Sequence, residues 1–226
     1  MNLRHIKSYY RFFKSFSKRL MGINKPINQV FTNIHASNFW GDSESVSGSG
    51  SNMVETNELM EILPVIFKTL NIKTILDIPC GDFNWMQNVN LLEIISYKGA
   101  DIVHSLIEKN QRSNNRSNVS FEVLDLTSDV LPAVDLIFCR DCLVHLSNEN
   151  IFQAIKNIKV SRTKYLLTTS FPDSHFNYNI VNGDWRPINL QIEPFKLNPV
   201  AIFKEREDFI GEFKDKSLLL FEVERL

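Results

Sequence analysis

The chain has 226 residues, with 25 Lys and Arg side chains against 26 Asp and Glu, which favours one domain with at most a small extension. Hydrophobic residues make up 43% of the chain and 17 residues are Phe, which excludes a mainly disordered protein. Three cysteines cannot pair completely, and no apolar run approaches the roughly 18 residues needed to cross a bilayer. We therefore expect a soluble domain in the reducing cytoplasm, and the near balance of charge predicts no nucleic-acid partner.

The basic residues are concentrated at the start of the chain. Residues 1–41 carry seven Lys and Arg side chains and no acidic one, whereas the remaining residues carry 18 positive and 26 negative charges. Between residues 3 and 20, large apolar side chains recur every three to four positions, which predicts a basic amphipathic helix in an extension of residues 1–30. Its apolar face could pack on the chain's own domain, or residues 1–25 could bind an anionic membrane surface or a partner protein.

A single domain of residues 31–226 follows. A small polar stretch at residues 42–51 predicts a loop, and the apolar spacing between residues 53 and 70 predicts an amphipathic helix. Strands and helices then alternate. The predicted strands cover residues 74–78, 97–101, 119–124, 134–139 and 165–169, with helices over about 104–115 and 148–160. This alternation predicts an α/β fold with a Rossmann-like, mostly parallel sheet and helices on both faces.

The last part of the chain has a different pattern. Apolar runs at residues 200–203 and 218–223 predict an antiparallel hairpin at the sheet edge. Residues 171–199 before them are too long for an ordinary connection, and we predict that they form a substrate lid. The candidate acceptor-binding residues in this segment are His175, Tyr178, Trp185 and Arg186. The indole could stack on a sugar or base and the guanidinium could bind a phosphate, or both could have local structural contacts only.

Three acidic residues fall at the ends of predicted strands. Asp77, Asp101 and Asp125 end or follow the first three strands at intervals of 24 residues. Ligands of open parallel sheets bind beyond the carboxyl ends of the strands, so these carboxylates are expected at one site. There Asp101 could accept both hydroxyls of a ribose, and Asp125 could face an adenine amino group. Any one of them could instead cap a helix, but three in step favour a nucleoside site.

The turn after the first strand weighs against a pyrophosphate ligand. Dinucleotide and Walker motifs need several glycines so that backbone N–H groups can approach the phosphates. This turn contains only Gly81, which can adopt conformations barred to other residues, and the neighbouring Asp82 would repel a phosphate. The turn instead suits a ligand with a positive centre.

These residues resemble the motifs of the class I S-adenosylmethionine-dependent methyltransferases. The run Asp77-Ile-Pro-Cys-Gly-Asp82 resembles their first motif, acidic-x-Gly-x-Gly-x-Gly, with Pro79 and Phe83 at two of the glycine positions. Gly99-Ala-Asp-Ile102 resembles the second motif, whose acidic residue binds the cofactor ribose. Residues 135–146 resemble the fourth strand and the segment after it. The resemblance implies the methyltransferase fold, with S-adenosylmethionine as the cofactor.

The resemblance covers about residues 53–170 by motif. Segments at residues 40–51, 139–145 and 183–187 are also similar to a bacterial subgroup found with surface-polysaccharide biosynthesis genes. On this resemblance, and with the loop before the first helix closing over the cofactor's methionine end, the cofactor-binding residues are Trp40, Ser47, Gly48, Asp77, Pro79, Gly81, Asp82, Asp101, Ile102, Asp125, Leu126 and Arg140.

The segment after the fourth strand is where an acceptor should meet the cofactor. Methyl transfer to a hydroxyl needs a base, and His145 is the best candidate because imidazole is nearly neutral at pH 7. Its alternative role is packing between two apolar neighbours. Asp141 is a second catalytic candidate, although it could instead form a structural ion pair with Arg140. Cys139 and Cys142 lack further ligands in sequence, so we expect no metal site.

The leading hypothesis is methyl transfer to an oxygen of a small polar acceptor. Candidate acceptors are a sugar, a nucleotide sugar, or a phosphorylated or phosphoramidate intermediate of surface-glycan biosynthesis. One alternative is a nucleic-acid or protein methyltransferase, which the basic N-terminal segment favours and the acidic remainder opposes. The other is a non-catalytic subunit with a cofactor-binding fold, which the two replaced glycines favour.

Overall fold

A computed structural model describes residues 11, 13, 15–17 and 25–226. Four helices lie in residues 25–226: α1 (Ile27–Ala36), α2 (Met53–Thr69), α3 (His104–Ser113) and α4 (Asn148–Val160). The seven strands of this region are β1 (Thr74–Asp77), β2 (Ser96–Asp101), β3 (Val119–Val123), β4 (Leu136–Cys139), β5 (Tyr165–Ser170), β6 (Ala201–Lys204) and β7 (Ser217–Glu222). Short 3₁₀ turns at Ser49–Ser51 and Leu143–His145 lie close to the site described below.

The strands form one sheet in the order β3-β2-β1-β4-β5-β7-β6. Strands β1 to β5 pair in parallel. Strand β7 pairs antiparallel with both β5 and β6, so the last two strands form a hairpin at one edge. The strand order reverses between β1 and β4, which is the switch point where ligands bind in this class of sheet. The fold prediction is confirmed, including the antiparallel C-terminal hairpin.

Successive residues of the central strands point to opposite faces, as the two-residue period of a strand requires. On β4, Ile137 packs with the cluster that contains the apolar face of α4, whereas Leu136 and Phe138 pack with the opposite cluster. That opposite cluster contains the apolar face of α2 and Ile107 of α3. The sheet is therefore covered by helices on both faces.

Helix α1, whose side chains are all at least partly exposed, was not predicted from the sequence. It packs through Ile27 and Phe31 on the α4 side of the sheet. The predicted N-terminal helix lies mostly outside the described residues. Within them, Ser15 Oγ accepts a hydrogen bond of 2.8 Å from Val181 N, and the guanidinium of Arg11 lies 4.8 Å from the ring centroid of Trp185. No helix among the described residues combines the length and hydropathy needed to span a bilayer.

Candidate functional site

A cavity of about 480 Å³ lies at the carboxyl ends of the central strands. Its volume falls within the range of about 300–1,000 Å³ that is typical of small-molecule sites. The three strand-end aspartates, Asp77, Asp101 and Asp125, all line it. Asp77 and Asp101 are the last residues of β1 and β2, and Asp125 follows the end of β3. The parallel register of these strands places the three carboxyl groups along one edge.

The carboxyl groups of Asp77 and Asp101 are nearly inaccessible to solvent. Burial raises the pKa of Asp77 to about 7, although the hydroxyl of Tyr97 donates a hydrogen bond to it and lowers the pKa. Burial also raises the pKa of Asp101 to about 6. Backbone N–H groups of Val103 and Gly81 donate to its two oxygens at 2.9 and 3.3 Å and oppose that shift. These bonds fix the orientation of the Asp101 carboxyl group at the cavity.

Asp125 forms a local turn that supports the third side of the cavity. Its Oδ1 accepts hydrogen bonds from the backbone N–H of Thr127 at 2.8 Å and from the hydroxyl of the same residue at 2.6 Å. The neighbouring Leu126 is buried and lines the cavity. Ile102, which follows β2, is half-buried and also lines it. A planar apolar group could therefore lie between these side chains with polar acceptors at its edge.

The turn after β1 is closely packed against the loop that precedes α2. Gly81 has φ +56°, and a Cβ on this residue would stand 2.3 Å from Ser47 Oγ. Asp82 N donates to Ser47 Oγ at 3.0 Å, and the Asp82 carboxylate accepts from the Ser45 hydroxyl at 2.9 Å and from Val46 N at 3.1 Å. Asp82 does not line the cavity. It binds the loop of residues 42–51, here called the serine loop, to the turn. Ser47 and Gly48 of the serine loop line the cavity.

Phe83 replaces the last glycine of the family motif and still adopts the left-handed conformation, with φ +58°. A bulky residue in this region is strained by roughly 1–3 kcal/mol. The ring is buried and lies 5.5 Å from the ring of Tyr97 and 5.1 Å from that of Phe121. Burial of the ring offsets the strain, so the turn keeps a glycine-like path without the glycine.

Trp40 closes the cavity beside His145. Its ring centroid lies 5.1 Å from the His145 ring. A Cβ on Gly48 would stand 3.1 Å from Trp40 Cβ, and Gly48 has φ +92°. Glycine at this position therefore lets the serine loop approach the indole.

His145 lines the cavity at the end of the turn that follows β4. Its Nδ1 lies 3.0 Å from the carbonyl oxygen of Asp184, which can only accept, so Nδ1 carries the proton of the neutral ring. Burial lowers the pKa of His145 below its ordinary value, against the hydrogen bond to Asp184 and the charge of Asp141. The neutral ring therefore has a basic Nε2, as a general base requires.

Four charged side chains form a connected group next to His145. Arg140 Nη2 lies 2.8 Å from Glu205 Oε2, and Lys216 Nζ lies 2.6 Å from Asp141 Oδ2. Arg140 Nη1 also donates to the carbonyl oxygen of Gly50 at 2.8 Å. All four charged side chains line the cavity. The network attaches the end of β4 to the C-terminal hairpin and to the serine loop.

Asp141 is poorly suited to take a proton. Burial would raise the pKa of Asp141, but the ammonium of Lys216 and the guanidinium of Arg140 outweigh it and lower the pKa to about 2. A carboxylate so stabilised remains ionised at neutral pH. The Asp141 carboxylate instead positions the ammonium of Lys216 through their ion pair, and its negative charge raises the pKa of His145.

Segment 171–199, the predicted lid, reaches the cavity through Phe171 and Trp185. Ring centroids of these two residues are 5.9 Å apart, and Trp185 lies 4.9 Å from Phe213 of the hairpin loop. Several other residues of the segment are buried on the α4 side of the sheet: Ile188, Leu190 and Phe195. The segment therefore contributes to the core as well as to the cavity.

The other candidate acceptor-binding residues do not line the cavity. Arg186 is fully buried, and its guanidinium donates to the carbonyl oxygen of Val144 at 3.3 Å and to Asn148 Oδ1 at 3.0 Å. These bonds hold the turn after β4 against the segment. Tyr178 is buried outside the cavity, and His175 is exposed. Of the four predicted acceptor-binding residues, only Trp185 lines the cavity.

The structure brings most of the predicted site residues together. Those lining the one cavity are Trp40, Ser47, Gly48, Asp77, Pro79, Gly81, Asp101, Ile102, Asp125, Leu126, Arg140, Asp141, His145 and Trp185. Sequence reasoning missed Glu205 and Lys216. The available signal was the predicted hairpin itself, because the loop between β6 and β7 must lie at the edge where the parallel strands end.

Cys139 and Cys80 are buried and Cys142 is half-buried. Within residues 11, 13, 15–17 and 25–226, no three His, Cys, Asp or Glu side chains are grouped so that they could hold a metal ion.

Neither protein-family models nor curated protein sequences match the chain. Several solved structures do match it. The N-methyltransferase NodS from Bradyrhizobium japonicum WM9, in complex with S-adenosylhomocysteine, is 17% identical, with a TM-score of 0.61 over 84% of this chain and 98% of that chain. The methyltransferase domain of bacterial CtHen1 is 13% identical, with a TM-score of 0.57 over 74% of this chain and 98% of that chain.

A third solved structure is an S-adenosylmethionine-dependent methyltransferase from Clostridium acetobutylicum ATCC 824. It is 12% identical, with a TM-score of 0.54 over 74% of this chain and 91% of that chain. The chain has the methyltransferase fold. At these identities the likeness concerns the fold, and the chemistry has to be argued from the site residues.

Proposed function

We propose that the protein transfers the methyl group of S-adenosylmethionine to an oxygen of a small polar acceptor. The observation that carries the proposal is that the three strand-end aspartates and His145 line one cavity at the switch point of the sheet. The aspartates suit a nucleoside with a cationic centre, and the imidazole suits proton removal from a hydroxyl. A shared cavity is what direct transfer between two bound ligands requires.

The cavity fits this cofactor better than a dinucleotide. The turn after β1 presents an acidic residue beside Gly81, and the space above that glycine is filled by Ser47 rather than left open for phosphates. Three carboxyl groups along the cavity edge would repel a pyrophosphate. They would favour ribose hydroxyls and a sulfonium charge.

Specific residues would hold each part of the cofactor. Asp101 would accept the ribose hydroxyls, and Asp125 would accept the adenine amino group with Leu126 and Ile102 against the ring. Ser47 and Gly48 would contact the amino-acid end. When bound, the cofactor supplies an electrophilic methyl group on a positively charged sulfur.

His145 would act on the acceptor. Its Nδ1–H is held by the carbonyl oxygen of Asp184, so Nε2 is available to take the proton of a hydroxyl as the new C–O bond forms. The ring of Trp40, whose centroid lies 5.1 Å from that of His145, packs against the imidazole and restricts its movement. Held in this way, the base loses little freedom when an acceptor binds.

The acceptor would occupy the part of the cavity lined by Phe171, Trp185 and Phe213. Aromatic faces of this kind stack on sugar rings and bases. Together with the sequence resemblance to a subgroup found with surface-polysaccharide genes, this favours a sugar, nucleotide sugar or phosphorylated glycan intermediate. The proposed class is thus a small-molecule acceptor.

The test begins with calorimetric titration of the protein with S-adenosylhomocysteine, beside NAD⁺ as a control. We expect micromolar binding of the first ligand and none of the second, with the binding lost in Asp101→Ala and kept in Asp173→Ala, on an exposed residue outside the cavity. Binding of NAD⁺, or of neither ligand, would contradict the cofactor assignment.

Transfer of a labelled methyl group is then measured with nucleotide sugars, glycans and phosphorylated precursors as acceptors. We expect transfer to at least one of them, reduced by about 10²–10⁴-fold in His145→Gln. Binding of S-adenosylhomocysteine with no transfer to any of these acceptors would instead support the non-catalytic subunit. Salt-sensitive binding of RNA or DNA would support a nucleic-acid substrate.

A further inference from the structure

Glu205 is a buried carboxylate on the C-terminal hairpin. It follows the last residue of β6, its side chain is 2% exposed, and it lines the cavity. A carboxylate is costly to bury unless it has cations and hydrogen-bond donors around it. Its contacts therefore show what this position is built to hold.

Only one of the two oxygens of Glu205 has partners within the described part of the chain. Oε2 accepts from Arg140 Nη2 at 2.8 Å and from Arg140 Nε at 3.2 Å, and it lies 3.3 Å from Lys216 Nζ. Oε1 is buried and has no hydrogen-bond partner among the described residues. Buried polar atoms in folded proteins are nearly always paired, so an orphaned carboxylate oxygen at a cavity indicates a missing donor.

The charge of the surrounding group limits what the donor can be. Arg140 and Lys216 contribute two positive charges, and Glu205 and Asp141 contribute two negative ones, so the group is neutral as it stands. A zwitterion adds both signs and leaves the neutrality unchanged. A lone cation or anion of the same size would leave one charge uncompensated in a buried site.

We propose that Glu205 Oε1 accepts a hydrogen bond from the ammonium group at the amino-acid end of the cofactor. This inference rests on the proposed function. It makes the C-terminal hairpin part of the cofactor site and assigns Glu205, which no motif of the sequence marks, as a residue that selects for the ammonium group.

The proposed contact has a specific consequence for Glu205→Gln. Since Oε2 accepts from Arg140 and lies 3.3 Å from the ammonium of Lys216, the amide oxygen of Gln must occupy that position, and the amide NH₂ then takes the place of Oε1. A donor would face the ammonium group instead of an acceptor. Because hydrogen bonds between charged groups are the strong ones, the affinity for S-adenosylhomocysteine should fall at least about tenfold.

The experiment compares two ligands by calorimetric titration. S-adenosylhomocysteine carries the amino-acid end, and 5′-methylthioadenosine has the same nucleoside and thioether sulfur without it. We expect Glu205→Gln to lower the affinity for S-adenosylhomocysteine and to leave the affinity for 5′-methylthioadenosine within about twofold of its original value. Glu207→Gln is the matched control, since Glu207 lies two residues away on the same loop and is exposed.

Four outcomes separate the alternatives. Selective loss of S-adenosylhomocysteine binding supports the proposal. Equal loss for both ligands, or loss accompanied by a lower melting temperature, assigns Glu205 a structural role and overturns the proposal. Unchanged affinity for both also overturns it, while the proposed function stands. If the unaltered protein binds neither ligand, the proposed function itself fails.

Discussion

The hydroxyl of Ser47 and residue Asp82 are joined by two hydrogen bonds that run in opposite directions. Ser47 Oγ accepts from Asp82 N at 3.0 Å and donates to Asp82 Oδ1 at 3.3 Å. One hydroxyl therefore connects the loop before α2 to the turn after β1, across 35 residues of sequence. This pair holds the serine loop over the cavity together with the hydrogen bonds that the Asp82 carboxylate accepts from Ser45 and Val46.

Ser47→Ala removes both bonds at once. We expect the affinity for S-adenosylhomocysteine to fall about tenfold, because two partly buried hydrogen bonds that order the loop are lost. The melting temperature should change little, since the loop contributes few buried apolar groups. Calorimetric titration and thermal unfolding measure the two quantities. Ser43→Ala, on an exposed residue of the same loop region, serves as the control. An unchanged affinity would mean that the Ser47 hydroxyl is not needed to hold the loop at the ligand.

His145→Gln should reduce methyl transfer by about 10²–10⁴-fold while leaving the affinity for S-adenosylhomocysteine nearly unchanged. The pH dependence gives a second test. Because burial lowers the pKa of His145, the neutral base predominates at pH 7, and kcat/KM should decline only as the pH falls below the ordinary imidazole range. In His145→Gln, this decline of kcat/KM at low pH, the acid limb of the pH profile, should be absent.

The control for His145 is His104→Gln. His104 is exposed and lies near Glu108 on α3, outside the cavity. Its replacement should leave both the rate and the acid limb unchanged. An acid limb that persists in His145→Gln would assign the proton transfer to another group.

Asp77→Asn should make the cofactor-free protein more stable at alkaline pH. The pKa of Asp77 is about 7 in the folded state against an ordinary value of 3.8, so the folded state favours the protonated form. That contribution is fully present below about pH 4 and is lost as the pH rises through 7. Asn keeps an oxygen acceptor for the hydroxyl of Tyr97 and cannot ionise.

Thermal unfolding at pH 5 and pH 8 measures this effect. The variant's melting temperature should exceed that of the unaltered protein by several degrees at pH 8 and by less at pH 5, since each kcal/mol moves it by about 2–4 °C in a domain of this size. Asp135→Asn should instead lower the melting temperature by a similar amount at both pH values. Its pKa is lowered to about 2, with burial opposed by hydrogen bonds from Lys164 and from the backbone of Lys73, so its stabilisation is present above pH 4.

Arg11 and Trp185 should be coupled energetically. The guanidinium lies 4.8 Å from the indole centroid, within range of a cation–π interaction. A double-mutant cycle with Arg11→Gln and Trp185→Phe should give a coupling free energy of about 0.5–1 kcal/mol in chemical denaturation. Zero coupling would mean that this part of the N-terminal segment does not bind its own domain in solution. Lys204→Gln, on the surface of β6, supplies an uncoupled partner for the same cycle.

The sheet could be predicted from sequence because the strands are short apolar runs separated by turns. The helix Asn148–Val160 was predicted over about the same residues, and in the structure Ser147 caps its start and its apolar residues follow one face. Helix α1 was missed. Its apolar side chains recur on one face, but none of its residues is buried, and it precedes the alternating strands and helices from which the fold was predicted.

The site was predicted where it depends on strand ends and not where it depends on long-range packing. Asp77, Asp101 and Asp125 follow directly from the strand pattern. Arg186 was expected at the ligand, but its guanidinium instead satisfies backbone carbonyls behind the turn after β4, a contact between residues about 40 positions apart. Glu205 was missed for the same reason, because its partner Arg140 lies 65 positions away.

The hairpin order β5-β7-β6 places the last strand of the chain inside the sheet and the one before it at the edge. The loop between them supplies Glu205 and Lys216 to the cavity, while α1 supplies Ile27 and Phe31. A nascent chain therefore cannot assemble the complete pocket until the β6–β7 hairpin has been synthesised. The proposed cofactor would therefore find its complete site only in chains that already contain β7, and its binding would stabilise those chains rather than shorter ones.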